Sequence, residues 1–102
     1  MHYVFKSRAD ADLIMMAPVG DHLLRIVGHE PSARGIIGAA ALPGAIQAIE
    51  SAIEVERRAG GGPDDDEAEG REARVGLAQR AWPLLEMMKR SLAEGTDIVW
   101  GV

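Results

Sequence analysis

Three histidines, a run of acids and a run of glycines are the features of this chain with residue types able to do chemistry. His2, His22 and His29 could ligate a metal, but no two are spaced i, i+3 or i, i+4, which would set both imidazoles on one helix face. Asp64, Asp65, Asp66 and Glu67 could attract Ca²⁺. They lack the alternating ligands, central glycine and closing glutamate of an EF-hand loop, and read instead as a solvated acidic stretch. Gly60-Gly61-Gly62 has neither a following Lys-Ser/Thr nor a strand-to-helix context, and the adjacent carboxylates would repel a phosphate. Ser7, Ser32, Ser51 and Ser91 lie in no GxSxG context, and Ser32 near His29-Glu30 is a loop proximity only. Glu86, between Leu85 and Met87, falls on the outward side of its helix, so it does not read as a carboxyl with a raised pKa. Arg57, Arg58, Arg80, Lys89 and Arg90 could gather into an anion patch, with Arg80 stacking on Trp82. These considerations leave no catalytic, cofactor-binding or metal-ligating residue. The one candidate binding group is His29, Arg34, Arg80 and Trp82.

The elements that would position these residues belong to a small chain. Its 102 residues fit one domain, and such a chain buries roughly 60–65% of its unfolded surface. Aromatics are limited to Tyr3, Phe5, Trp82 and Trp100, so aliphatic residues and five methionines must fill the core. The absence of cysteine removes disulfides and thiolate chemistry. The start, MHYVFKSRADAD, has no secretory h-region, and the longest apolar run, LIMMAPV, is far shorter than a membrane helix of about 20 residues. A cytoplasmic, membrane-free protein is the expectation. Residues 60–72 hold six acids and one arginine, while the rest of the chain carries ten acids and ten bases. The net charge of −5 thus sits in one segment, and no basic face for nucleic acid is visible.

Residues 2–7 and 12–16 read as strands of a hairpin, with Tyr3 and Phe5 on one face and His2, Val4 and Lys6 on the other. Pro18 breaks the second strand and a short helix follows over 21–27, closed by Gly28 in the left-handed conformation. Residues 29–41 form a loop with room for a short strand at Gly35-Ile36-Ile37. A second helix opens with Pro43 at its first position and carries the stripe Leu42, Ile46, Ile49, Ile53, with Glu54 and Arg58 paired on its outer side. Residues 60–73, rich in glycine and acid, read as a flexible loop. A third helix runs from about Val75 to Glu94, buries Leu77, Ala81, Leu84, Met88 and Leu92 with Leu85 beside them, pairs Glu86 with Arg90 and stops at Gly95. Residues 97–101 form a terminal strand that should pair with the hairpin.

Pro83 sits inside this third helix pattern. It either kinks the helix or begins it, and in both cases Trp82 leaves the stripe to cover an apolar edge. Met15, Met16, Met87 and Met88 are expected to meet between sheet and helix.

RAWPLLEMMKRS (80–91) and the closing DIVWGV (97–102), preceded in order by FKS, DLIMM, GII and LPGAIQAIESAI, resemble a bacterial family, domain of unknown function 1840. The resemblance covers the chain apart from residues 60–73. It departs at VGLAQR, where Gly76 and Ala78 replace a polar cap and a basic residue. It implies a small cytoplasmic bacterial protein and brings no catalytic residues with it.

The resulting expectation is an α+β fold in two layers. A small antiparallel sheet, the N-terminal hairpin plus the C-terminal strand, packs against two or three helices in a single domain, 1–102. The expected role is a non-catalytic binding or interaction module, with an unknown protein or a second copy as partner. The alternative is a binder of an anionic metabolite, or a minor enzyme, with a pocket near His29–Arg34 and Arg80–Trp82.

Overall fold

The computed structural model describes residues 2–59 and 76–101. The acidic loop expected at 60–73 lies outside the described residues. The elements in chain order are β1 (His2–Ser7), β2 (Asp10–Met16), α1 (Ala17–Ile26), β3 (Gly35–Ile37), a 3₁₀ turn (Ala39–Ala41), α2 (Leu42–Arg58), α3 (Leu77–Glu94) and β4 (Ile98–Trp100). The strands form one antiparallel sheet in the order β2-β1-β4-β3. The fold is therefore the expected α+β arrangement, with the terminal strand paired to the hairpin and β3 added beyond it as the far edge.

Alternation sends Phe5 of β1, Met15 of β2, Ile98 and Trp100 of β4 and Ile37 of β3 to the helix side, where all are buried in one cluster with residues of the three helices. Trp100, fully buried, meets Phe5 edge-on with ring centroids 5.5 Å apart and donates its indole N–H to the Ser32 carbonyl at 3.0 Å. Gly35 lies against the Trp100 ring, where any Cβ would collide with it.

The second strand begins two residues earlier than its apolar pattern suggests, because the hairpin contains a bulge. Phe5 faces Leu13 and Ser7 faces Asp10, so β2 advances three residues while β1 advances two. The extra residue turns Asp10 to the helix side. There its carboxylate accepts a hydrogen bond from Arg90 of α3 at 2.8 Å, and this bond holds the Asp10 pKa below its ordinary value. Arg90 is thereby drawn away from Glu86, the partner expected for it; Glu86 lies beside Lys89 instead, at 4.0 Å.

Helix α1 starts at Ala17, directly after β2, and not at residue 21. Pro18 falls in its first turn, where the missing N–H costs nothing, so it opens the helix as readily as it ends the strand. Gly28 has φ +82 and closes α1 as expected. Its N–H reaches the Arg25 carbonyl at 3.0 Å, and the His29 N–H reaches Leu24 at 2.8 Å.

Helix α2 buries Leu42, Ala45, Ile46 and Ile49 and carries the Glu54–Arg58 pair at 3.0 Å. Its Glu56 carboxylate accepts the Leu77 N–H at 2.9 Å. A side chain from another helix thus caps the start of α3, where Gly76 offers none.

Helix α3 is continuous through Pro83, which therefore neither starts it nor separates a preceding turn. Trp82 does not cover an apolar edge: it is 58% exposed. The buried side includes Leu77, Ala81, Leu84, Leu85, Met87 and Met88, and near its end it takes Ser91 in place of the expected Leu92. The reason lies on β1, whose Ser7 hydroxyl meets that of Ser91 at 2.6 Å and satisfies it. Met15, Met87 and Met88 are core residues, whereas Met16 points out of the core and is 62% exposed.

Candidate binding face and cavity

The sequence-derived group of His29, Arg34, Arg80 and Trp82 does not share a described cavity. His29 lies half-buried behind the α1 cap, its ring edge-on to Trp100 at 5.1 Å. Its two ring nitrogens lie 3.3 Å from the carbonyls of Glu30 and Ile36. It lines a hollow of about 400 Å³ with Val27, Ile36 and Ala45 among others, and neither Arg80 nor Trp82 takes part. Those two are exposed on α3, and at spacing i, i+2 they point to different sides of the helix, so no stacked pair forms. Arg34 is exposed just before β3.

The surface whose chemistry stands out is the side of the sheet that the described helices leave bare. Registers pair Val4 with Ile14, His2 with Met16, and Lys6 through Val99 to Ile36, which sets these seven side chains on one face. Ile14 is 67% exposed and Ile36 52%, and with Met16 they make three large apolar groups on the same open surface. An isolated exposed apolar residue needs no explanation, but a set joined across the sheet, here through Val4 and Val99, marks a contact surface. The charge on this face is arranged by margin. Asp12 stands on β2 at one edge, Arg34 precedes β3 at the other, and Lys6 lies between them on β1.

At the His2 end of β1 the sheet meets a cavity of about 540 Å³. β4 pairs with β1 only over Phe5–Ser7, so its partner strand stops before Tyr3. The walls are His2, Val4 and Lys6 of the bare face, Ala17 and Asp21 of α1, the segment Pro31-Ser32-Ala33, Tyr3 and Gly101. Gly20 lies so close to the Tyr3 ring that a side chain there would displace it. The Tyr3 hydroxyl donates to the Asp21 carboxylate. Burial first, and then this bond to a negative partner, push the phenol up to about 12, so it stays neutral as a donor. Among the described residues no carboxylate lies within 4.0 Å of the Lys6 ammonium.

Sequence reasoning missed Ile14, Met16, Ile36 and the Tyr3–Asp21 pair. A signal was present for the first two. The unbroken apolar run Leu13-Ile14-Met15-Met16 gives β2 grease on both faces, whereas a strand with one wet face alternates. The Tyr3–Asp21 contact joins a strand to a helix and left no local trace.

Among the described residues no cluster of three or more His, Cys, Asp or Glu side chains is placed to hold a metal, and no described helix is long and apolar enough to cross a membrane. A family model described as a domain of unknown function (DUF1840) matches residues 1–100. The chain belongs to this family. No curated protein and no solved structure matches it.

Proposed function

We propose that this DUF1840 protein is a non-catalytic interaction module that pairs with a second copy of itself through the bare face of its sheet. The observation that carries the reading is the exposed apolar set of Ile14 and Met16 on β2 and Ile36 on β3, joined across the sheet by Val4 and Val99, on a face that no described helix covers. Charge placement favours a like partner. Arg34 stands level with Val4 and Asp12 level with Lys6. A two-fold axis lying between the faces and tilted about 25° from the strands, perpendicular to the line from Asp12 to Arg34, therefore sets the β2 margin of one copy over the β3 margin of the other. Asp12 then meets Arg34 of the second copy at both ends, and the apolar residues between them meet one another. The margins are three strand spacings apart, about 14 Å, which leaves room for the apolar strip between the charged ends. A strongly acidic or basic partner would match one margin and be repelled by the other.

Sedimentation of the full chain from micromolar to millimolar concentration tests this. The expected result is a concentration-dependent shift to twice the chain mass, abolished by Ile14→Asp or Ile36→Asp with the far-UV spectrum unchanged. Asp12→Lys should weaken pairing, and Asp12→Lys combined with Arg34→Asp should restore it. A chain that stays monomeric throughout, or a dimer indifferent to Ile14→Asp and Ile36→Asp, overturns the reading.

A further inference from the structure

The cavity at the His2 end of β1 has the size of a ligand site and walls of two kinds. Its volume of about 540 Å³ falls within the roughly 300–1,000 Å³ typical of small-molecule pockets. Val4, Ala17, Pro31 and Ala33 present apolar side chains to it. Lys6 supplies an ammonium that no described carboxylate neutralises, on a strand whose hydrogen bonds hold its backbone in place. The other formal charge in the wall, Asp21, already accepts the Tyr3 hydroxyl.

We infer that this cavity takes a small organic monocarboxylate with an apolar body. The carboxylate accepts from the Lys6 ammonium, and the body lies against Val4, Pro31 and Ala33. The wall chemistry argues against the other common classes. A phosphate dianion needs several convergent donors or an arginine fork, and here it would face the Asp21 carboxylate with one lysine and the His2 ring as its support. A cation would meet Lys6. A neutral apolar molecule would leave the lysine desolvated without a partner, which is costly. A single negative charge on a short apolar stem satisfies both kinds of wall. The site shares His2, Val4 and Lys6 with the bare face, so pairing there would compete with the ligand, while Tyr3, Ala17, Asp21 and the 31–33 segment supply most of its other walls.

The probes are butyrate, hexanoate and benzoate, each beside its neutral amide, titrated into the isotopically labelled full chain and followed by amide NMR shifts. The titration is run in the Ile14→Asp background, so that any loss of pairing cannot be confused with ligand binding; Ile14 is not in the cavity wall. Saturable shifts confined to the amides of Lys6, Ser32, Ala33 and Gly101, seen with carboxylates and not with amides, are expected. Lys6→Met should weaken binding about tenfold or more, the loss of one charge-assisted hydrogen bond, and Lys6→Arg should retain it. Ala33→Trp, an exposed loop position, should abolish it by filling the space. No saturable shift at millimolar carboxylate, equal shifts with the amides, or unchanged affinity in Lys6→Met would each overturn the assignment.

Discussion

Neighbouring residues of β1 meet opposite environments. Phe5 is fully buried between the rings of Tyr3 and Trp100, whereas Val4 and Lys6 on either side of it look out over a surface that also carries Ile14, Met16 and Ile36. Both faces are rich in apolar side chains, yet the three described helices pack on only one of them. On the covered face each large residue has a packing reason to be apolar. On the bare face no contact among the described residues supplies that reason, which is why its composition speaks to function and the core does not.

Trp100→Ala gives the largest contrast between the faces. Removing a fully buried indole should cost about 3–5 kcal/mol in denaturant unfolding, while Ile36→Ala, on the same sheet but the other side, should stay within about 0.5 kcal/mol at concentrations where the chain is monomeric. Equal losses would mean the bare face is packed after all. Gly35→Ala comes next. Its new methyl group must enter space held by the rigid Trp100 ring, and a loss of about 1–3 kcal/mol is expected; a neutral result would show that the ring has room to move. Pro83→Ala should act in the opposite direction. Restoring the hydrogen bond to the Gln79 carbonyl outweighs the entropy returned to the unfolded chain, for a gain of about 1–2 kcal/mol, and a loss there would show that the covered face depends on the proline.

The smallest effect concerns pH. Arg90 depresses the Asp10 pKa in the folded chain. Its contribution is therefore present above the ordinary aspartate pKa and disappears as pH falls through the lowered folded value. Asp10→Asn should flatten the acid limb of a melting-temperature profile slightly and leave neutral pH almost untouched, since the pair is exposed. A large loss at neutral pH would give the bulge a structural weight not assigned to it.

The sequence made the hairpin, the α2 stripe, both glycine helix stops and the terminal strand legible, because each is written in local spacing. The start of α1 was misread because a proline both ends strands and begins helices, and only the geometry of Met16 and Ala17 chooses between them. Ser91 was missed because a hydrophobic stripe, extended by period, selects Leu92. A buried serine is sensible only when another hydroxyl waits for it, and Ser7 is far away in the chain. The candidate binding group failed in a similar way. His29 and Arg34 are close in sequence, as are Arg80 and Trp82, but nothing in either pair's spacing indicated whether the two pairs meet.

Strand β2 passes into α1 with Met16 as the last strand residue and Ala17 as the first helical one. No slack exists at that junction. An inserted residue before it would flip Met16 and Ile14 inward, and one after it would rotate Asp21 away from Tyr3 by about 100°. Lengthening here cannot be absorbed locally, so this joint holds the spacing between bare face and cavity to a fixed measure, and variation in length must be accommodated elsewhere along the chain.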